Sequence, residues 1–142
     1  MTTQSRQDTL GPEGEEILEN STRILIVEDE PILALELKED LQDLGYSVFD
    51  VVADGDMVLP AFLRNRPDVV LMDIKLHGFR DGIDSASQIR GFYKTPIVYL
   101  SSFPEVDVGE RLSKTKPYVY IQKPYELPKL QAIISQAIQG SA

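Results

Sequence analysis

Four apolar residues, Val69 to Met72, run directly into one carboxylate, Asp73, and Gly78 and Gly82 follow soon after. Other apolar runs end in groups that could share a reaction with it: Glu28-Asp29 after Ile24 to Val27, Ser101 after Ile97 to Leu100, and Lys123 shortly after Tyr118 to Ile121. Short continuous apolar runs read as strands buried on both faces, the kind found in parallel sheets. Open α/β sheets bind ligands at the carboxyl edge of such strands, so all of these groups would meet at one edge. Three carboxylates brought together repel and raise each other's pKa unless a cation sits among them. An all-oxygen set of two or three carboxylates suits Mg²⁺. A hydroxyl (Ser101) and an ammonium (Lys123) are what a bound phosphoryl group requires, and Asp73 would then stand in line to attack phosphorus.

Taken singly, each residue has a plainer reading. Asp73 could be a strand cap, and Glu28-Asp29-Glu30 a solvated helix start favoured by the helix dipole. Ser101 could be a turn hydroxyl and Lys123 a surface charge. Only the set of strand ends favours a metal-assisted phosphoryl site.

The elements that must position these groups are legible from periodicity. Arg23 to Val27 reads as the first strand, and Pro31 suits the first position of a helix carrying Leu33, Leu37, Leu41 and Leu44, stopped by Gly45. Val48 to Val52 is a second strand. A turn at Asp54-Gly55-Asp56 leads to a helix over Met57 to Asn65, which tolerates Pro60 only near its first turn. After Asp73 and a loop over Lys75 to Gly82, Ile83, Ala86 and Ile89 mark a third helix closed at Gly91. The fourth strand is Ile97 to Leu100, and Pro104 to Lys114, with Gly109 inside, predicts a short or mobile helix. Tyr118 to Ile121 is a fifth strand. Leu127, Leu130, Ile133, Ile134, Ala137 and Ile138 give a strongly amphipathic last helix. Five strands alternating with five helices predict a flavodoxin-like, doubly wound α/β fold with a five-stranded parallel sheet in the order 2-1-3-4-5. Residues 1–21, polar and acidic and broken at Gly11-Pro12, are expected to be an extension, disordered or a short helix over Pro12 to Glu19. Residues 22–142 are the expected domain.

Composition excludes several classes. The chain has no cysteine and a single histidine, His77, which removes disulfides and thiolate sites and leaves little support for zinc or serine–histidine chemistry. A formal net charge of −9 argues against nucleic-acid binding and against attachment to anionic membranes. No run reaches the ~18 apolar residues of a membrane span, and the polar N-terminus is not a signal peptide, so a cytoplasmic location is expected.

The chain resembles the receiver domains of bacterial two-component response regulators. The matching pieces are Ile24-Leu25-Ile26-Val27-Glu28-Asp29-Glu30-Pro31, Val70-Leu71-Met72-Asp73-Ile74, Asp81-Gly82-Ile83, Pro96-Ile97-Val98-Tyr99-Leu100-Ser101 and Lys123-Pro124-Tyr125. The resemblance runs from about Arg23 to Gln139. It implies Asp73 as phosphoryl acceptor, with Glu28, Asp29, Asp73 and the Lys75 main-chain carbonyl holding Mg²⁺. Ser101 would bind a phosphoryl oxygen and move on activation, Lys123 would pair with the phosphate, and Tyr120 would be the switch aromatic that turns inward behind Ser101. Pro124 falls where the family often has a cis peptide, and Tyr125 replaces its usual phenylalanine. The long loop over His77 to Asp81 resembles receivers paired with PAS-containing sensor kinases. Lys75 and Phe103 occupy positions that influence phosphoryl lifetime in the family, and a bulky Phe103 predicts slow hydrolysis.

The expected function is that of a stand-alone response regulator: a switch, not an enzyme beyond its own phosphorylation and dephosphorylation. A sensor histidine kinase or histidine phosphotransfer protein would supply the phosphoryl group. A downstream protein target would read a changed surface on the fourth helix, fifth strand and fifth helix, and dimerisation there or through the arm is left open. Two further readings are a phosphorelay intermediate, which passes the group to another histidine protein, and a degenerate receiver used as a fixed binding module. The intact acidic, hydroxyl and lysine set argues against the latter. An aspartate-nucleophile phosphatase is disfavoured because such hydrolases usually carry a second acid two residues after the nucleophile, where this chain has Lys75.

Overall fold

The structure, a computed structural model, describes residues 21–140. The expected extension, as far as residue 20, lies outside the described residues. Strand β1 (Arg23–Val27) leads to α1 (Pro31–Asp43), which starts on Pro31 and stops where Gly45 takes a φ of 99° that other residues avoid. Strand β2 (Ser47–Val52) is followed by a 3₁₀ turn (Gly55–Met57) and α2 (Val58–Asn65). The helix expected from Met57 therefore begins one residue later. Pro60 lies in its first turn, where an N–H has no intrahelical partner to lose.

Strand β3 (Val69–Met72) is buried throughout, and α3 (Gly82–Arg90) opens with a reciprocal cap between Asp81 and Asp84. Strand β4 (Ile97–Ser101) precedes the weak segment. As Gly109 and the scarcity of apolar residues predict, only a four-residue helix forms there, α4 (Gly109–Leu112), flanked by 3₁₀ turns at Glu105–Asp107 and Ser113–Thr115. Strand β5 (Tyr118–Gln122) and α5 (Leu127–Gly140) complete the described chain. Among the described residues, no helix is long and apolar enough to cross a membrane.

All strand pairs are parallel and the order is β2-β1-β3-β4-β5, as predicted. Successive strand residues alternate between two apolar clusters. Leu25, Val27, Val70, Met72, Ile97 and Tyr99 pack against Phe62 of α2, Ile83 and Ile89 of α3 and Leu112 of α4. Ile24, Ile26, Leu71, Val98 and Leu100 pack against Leu41 of α1 and Leu130 and Ile134 of α5. Each fully buried aliphatic side chain contributes about 1.5–3 kcal/mol relative to an exposed one, so both faces hold the central strands in place.

Two long-range anchors fix the connections near α4. The half-buried Arg90 guanidinium donates to the carbonyls of Thr115 at 2.9 Å, Tyr93 at 2.8 Å and Pro117 at 2.8 Å. Arg111 of α4 forks onto Asp81 with two bonds of 2.9 Å and reaches Asp84 at 3.1 Å.

Candidate functional site

Because β1 and β3 are neighbours, the residues that follow them meet. The Asp73 amide donates to the Val27 carbonyl at 2.9 Å, which brings the acceptor candidate beside Glu28 and Asp29. One carboxylate oxygen from each of Glu28, Asp29 and Asp73 lies within 4.8 Å of the others. Glu28 and Asp73 are almost fully buried, and the main chain orients both. The Ile74 N–H donates to Asp73 Oδ1 at 2.7 Å, and the Glu30 N–H donates to Glu28 Oε2 at 3.2 Å.

The outer strands supply the other side. The Lys123 N–H donates to the Ser101 carbonyl at 2.8 Å, which aligns the ends of β4 and β5. The Lys123 ammonium then spans the acids, with Nζ 3.3 Å from Glu28 Oε1 and 3.4 Å from Asp73 Oδ2. Ser101 is buried, and its Oγ accepts from the Phe103 N–H at 3.1 Å. A cleft of about 390 Å³ opens over these groups, bordered also by Glu30, Leu33, Lys75, Ser102 and Phe103. A more apolar groove of about 410 Å³ lies at the opposite sheet edge, between Pro96, Pro117, Tyr118 and Ala137, where no group of this set reaches.

The electrostatics describe a site short of positive charge. Burial and then the neighbouring Asp73 push the Glu28 carboxyl up to about 6. Burial would lower the Lys123 ammonium, but Asp73 and Glu28 outweigh it and hold it above its ordinary value, so it stays charged. One ammonium against three carboxylates leaves an excess of anionic oxygen, all of it hard. That donor set fits Mg²⁺, which binds through a few carboxylates and keeps several waters.

Every strand-end residue singled out in the sequence is at this edge. Lys75 borders the cleft with an exposed side chain. Tyr120 is half-buried beside Tyr99, with ring centroids 6.2 Å apart, and its hydroxyl donates to the Phe103 carbonyl at 2.6 Å. The Lys123–Pro124 peptide is cis, at the position expected. His77 has an exposed side chain, but its main chain is well tied: its carbonyl accepts from the Gly55 N–H at 2.9 Å. Gly82 packs so closely that a Cβ there would collide with the Asp73 carbonyl, which explains a glycine at the start of α3. The reading from sequence missed the Asp81 cap and its Arg111 fork. An Asp three residues before another Asp, at a helix start, was the available signal.

Comparison with known proteins agrees with this geometry. The family model for the response regulator receiver domain matches residues 24–135. The transcriptional regulatory protein PdtaR of Mycobacterium tuberculosis is 35% identical over 116 residues, covering 82% of this chain and 56% of its own length. The signal receiver domain of a modulated diguanylate cyclase from Desulfovibrio desulfuricans superposes with a TM-score of 0.78 at 31% identity, over 85% of this chain and 96% of that one. The receiver domain of the sensor histidine kinase PA1611 from Pseudomonas aeruginosa, solved with a magnesium ion coordinated in its active site cleft, gives a TM-score of 0.75 at 31% identity, over 84% and 99%. The chain spans about half the length of the curated relatives it matches, 56% and 44% for two of them. A five-stranded parallel sheet in this order, acids at the ends of β1 and β3 and a matching family model together place the chain in the response regulator receiver family of two-component signalling.

Proposed function

We propose that Asp73 accepts a phosphoryl group in a Mg²⁺-dependent reaction, from a histidine kinase or a histidine phosphotransfer protein, and that the modified domain presents a changed surface to a protein target. The observation that carries this reading is the meeting of Glu28, Asp29 and Asp73 within 4.8 Å, with Lys123 bridging Glu28 and Asp73.

The chemistry is a transfer between two nucleophiles. A carboxylate oxygen of Asp73 forms a bond to phosphorus as the bond from phosphorus to the donor imidazole nitrogen breaks, leaving an acyl phosphate and a neutral imidazole once the proton balance is restored. The Ile74 N–H and the strand packing hold Asp73 still, so little reorganisation is needed. Lys123 is placed to follow charge from the carboxylate to the phosphoryl oxygens. Glu28, Asp29, Asp73 and the Lys75 carbonyl would hold Mg²⁺, which supplies neutralisation of the phosphoryl oxygens when bound. The Ser101 hydroxyl, now accepting from the Phe103 N–H, is the group that would turn to a phosphoryl oxygen. Tyr120, bonded to the Phe103 carbonyl, would then lose that partner and shift, carrying the change to the α4–β5–α5 surface.

Phe103 and Lys75 both line the cleft, which supports slow loss of the phosphoryl group to water. Lys75 in place of a second acid also argues against a phosphatase. Onward transfer to another histidine protein is the same chemistry in reverse. The test is incubation with acetyl phosphate and Mg²⁺ followed by intact mass measurement. A single phosphoryl adduct that disappears in Asp73→Asn is expected, and unmodified wild-type protein would refute the proposal.

A further inference from the structure

The loop between Asp73 and α3 is tied to the turn after β2 by a bridge and several hydrogen bonds. Strand β1 lies between β2 and β3, so these two loops meet only by reaching past the end of the strand that carries Glu28 and Asp29. They meet through a parallel bridge between Asp54 and His77, in which the Gly55 N–H donates to the His77 carbonyl at 2.9 Å and the His77 N–H to the Ala53 carbonyl at 3.2 Å. Asp56 closes the contact. Its Oδ2 accepts from the Phe79 N–H at 3.1 Å and its Oδ1 from the Arg80 guanidinium at 3.0 Å. The fit leaves no spare room: a Cβ on Gly55 would collide with the Arg80 carbonyl, and one on Gly78, which has a φ of 94°, with the Asp54 carboxylate. From α3, Ser85 Oγ donates to the Gly55 carbonyl at 3.0 Å.

Lys75 stands between Asp73 and this tied segment. The Gly82 N–H donates to the Ile74 carbonyl at 2.7 Å on one side of it and the His77 bridge lies on the other, so the loop ties bound the short segment that carries the Lys75 carbonyl. We propose that Asp56 is a positioning residue for the metal site: by holding the Phe79 amide, it fixes the loop whose Lys75 carbonyl would complete the ligand set. This rests on the metal reading given above. Asp56 does not touch the cleft, so it acts only through the loop. Partners that hold a ligand in place commonly set metal affinity within roughly 10–100-fold.

The experiment is calorimetric titration of MgCl₂ into the metal-free full chain, with thermal unfolding of each variant alongside. Asp56→Ala is expected to weaken Mg²⁺ binding roughly tenfold. Asp56→Asn loses the same charge but keeps an oxygen for the Phe79 N–H, and is expected to bind close to wild type. Arg80→Ala, which removes only an exposed ion pair, should also bind close to wild type. Asp56→Glu keeps the charge but moves the carboxylate outward by one methylene, and is expected to bind more weakly than Asp56→Asn. Equal losses in Asp56→Ala and Asp56→Asn would show a long-range charge effect and overturn the proposal, as would wild-type affinity in Asp56→Ala and Asp56→Glu. If the wild-type chain takes up no Mg²⁺ at all, the metal reading itself fails. If it binds and the Asp56 variants match it, only the positioning role fails.

Discussion

Replacing Asp73 by Asn should make the metal-free protein more stable while removing its response to Mg²⁺. Asp73 is attracted by Lys123 at 3.4 Å and repelled by Glu28 and Asp29, each with an oxygen within 4.8 Å. At an effective dielectric near 20, the attraction is about 5 kcal/mol and each repulsion about 3.5 kcal/mol, so repulsion wins by about 2 kcal/mol. Asn keeps an oxygen for the Ile74 N–H. Asp29 is only half-buried, and solvent screening reduces its share, which leaves about 1 kcal/mol in favour of the variant. For a domain of this size that is a rise in Tm of roughly 4–8 °C. The assay is thermal unfolding of both proteins in chelator and in Mg²⁺. Mg²⁺ at about 100 times its Kd stabilises the wild type by about 2.7 kcal/mol, so the gap between the two proteins should close or reverse. An Asp73→Asn variant that melts below wild type in chelator, or that gains as much from Mg²⁺, would refute the electrostatic reasoning.

Two other outcomes follow from particular contacts. Burial works to raise the Asp81 carboxyl, but the Arg111 fork and the Asp84 N–H hold it below its ordinary 3.8, so its contribution is full above that value and fades as pH falls through the lower folded value. Arg111→Ala should therefore cost about 0.5–1 kcal/mol at neutral pH in denaturant unfolding, discounted for the pair's exposure, and the difference from wild type should shrink below about pH 4; a constant difference would contradict the assignment. Phe103→Glu, which puts a carboxylate base in the cleft lining in place of an aromatic ring, should speed loss of the phosphoryl group about tenfold or more, followed as decay of the adduct by mass. An unchanged decay would show that Phe103 does not shield the acyl phosphate.

Much of this was legible from residue order because buried parallel strands advertise themselves as unbroken apolar runs. Val69 to Met72 could be placed without its neighbours, and the residue after each run then had to lie on one edge. Gly45 as a left-handed stop and the weak helix at Gly109 were legible for the same reason, since each depends on local chain geometry alone. The contacts that went unseen join distant residues: Asp56 to Phe79, Arg111 to Asp81, and Arg90 to Thr115 and Pro117. Nothing in the residues adjoining Asp56 separates a loop clasp from a solvated turn. Only the sheet order, which brings the loops after β2 and β3 together, makes the difference.

The central claim is that Asp73 is a Mg²⁺-dependent phosphoryl acceptor. Its most direct test is the intact mass of the chain after incubation with acetyl phosphate. With Mg²⁺, one phosphoryl group is expected on the wild type, none on Asp73→Asn, and none on the wild type when chelator replaces Mg²⁺. An adduct that persists in Asp73→Asn, or that forms equally well in chelator, would contradict the account.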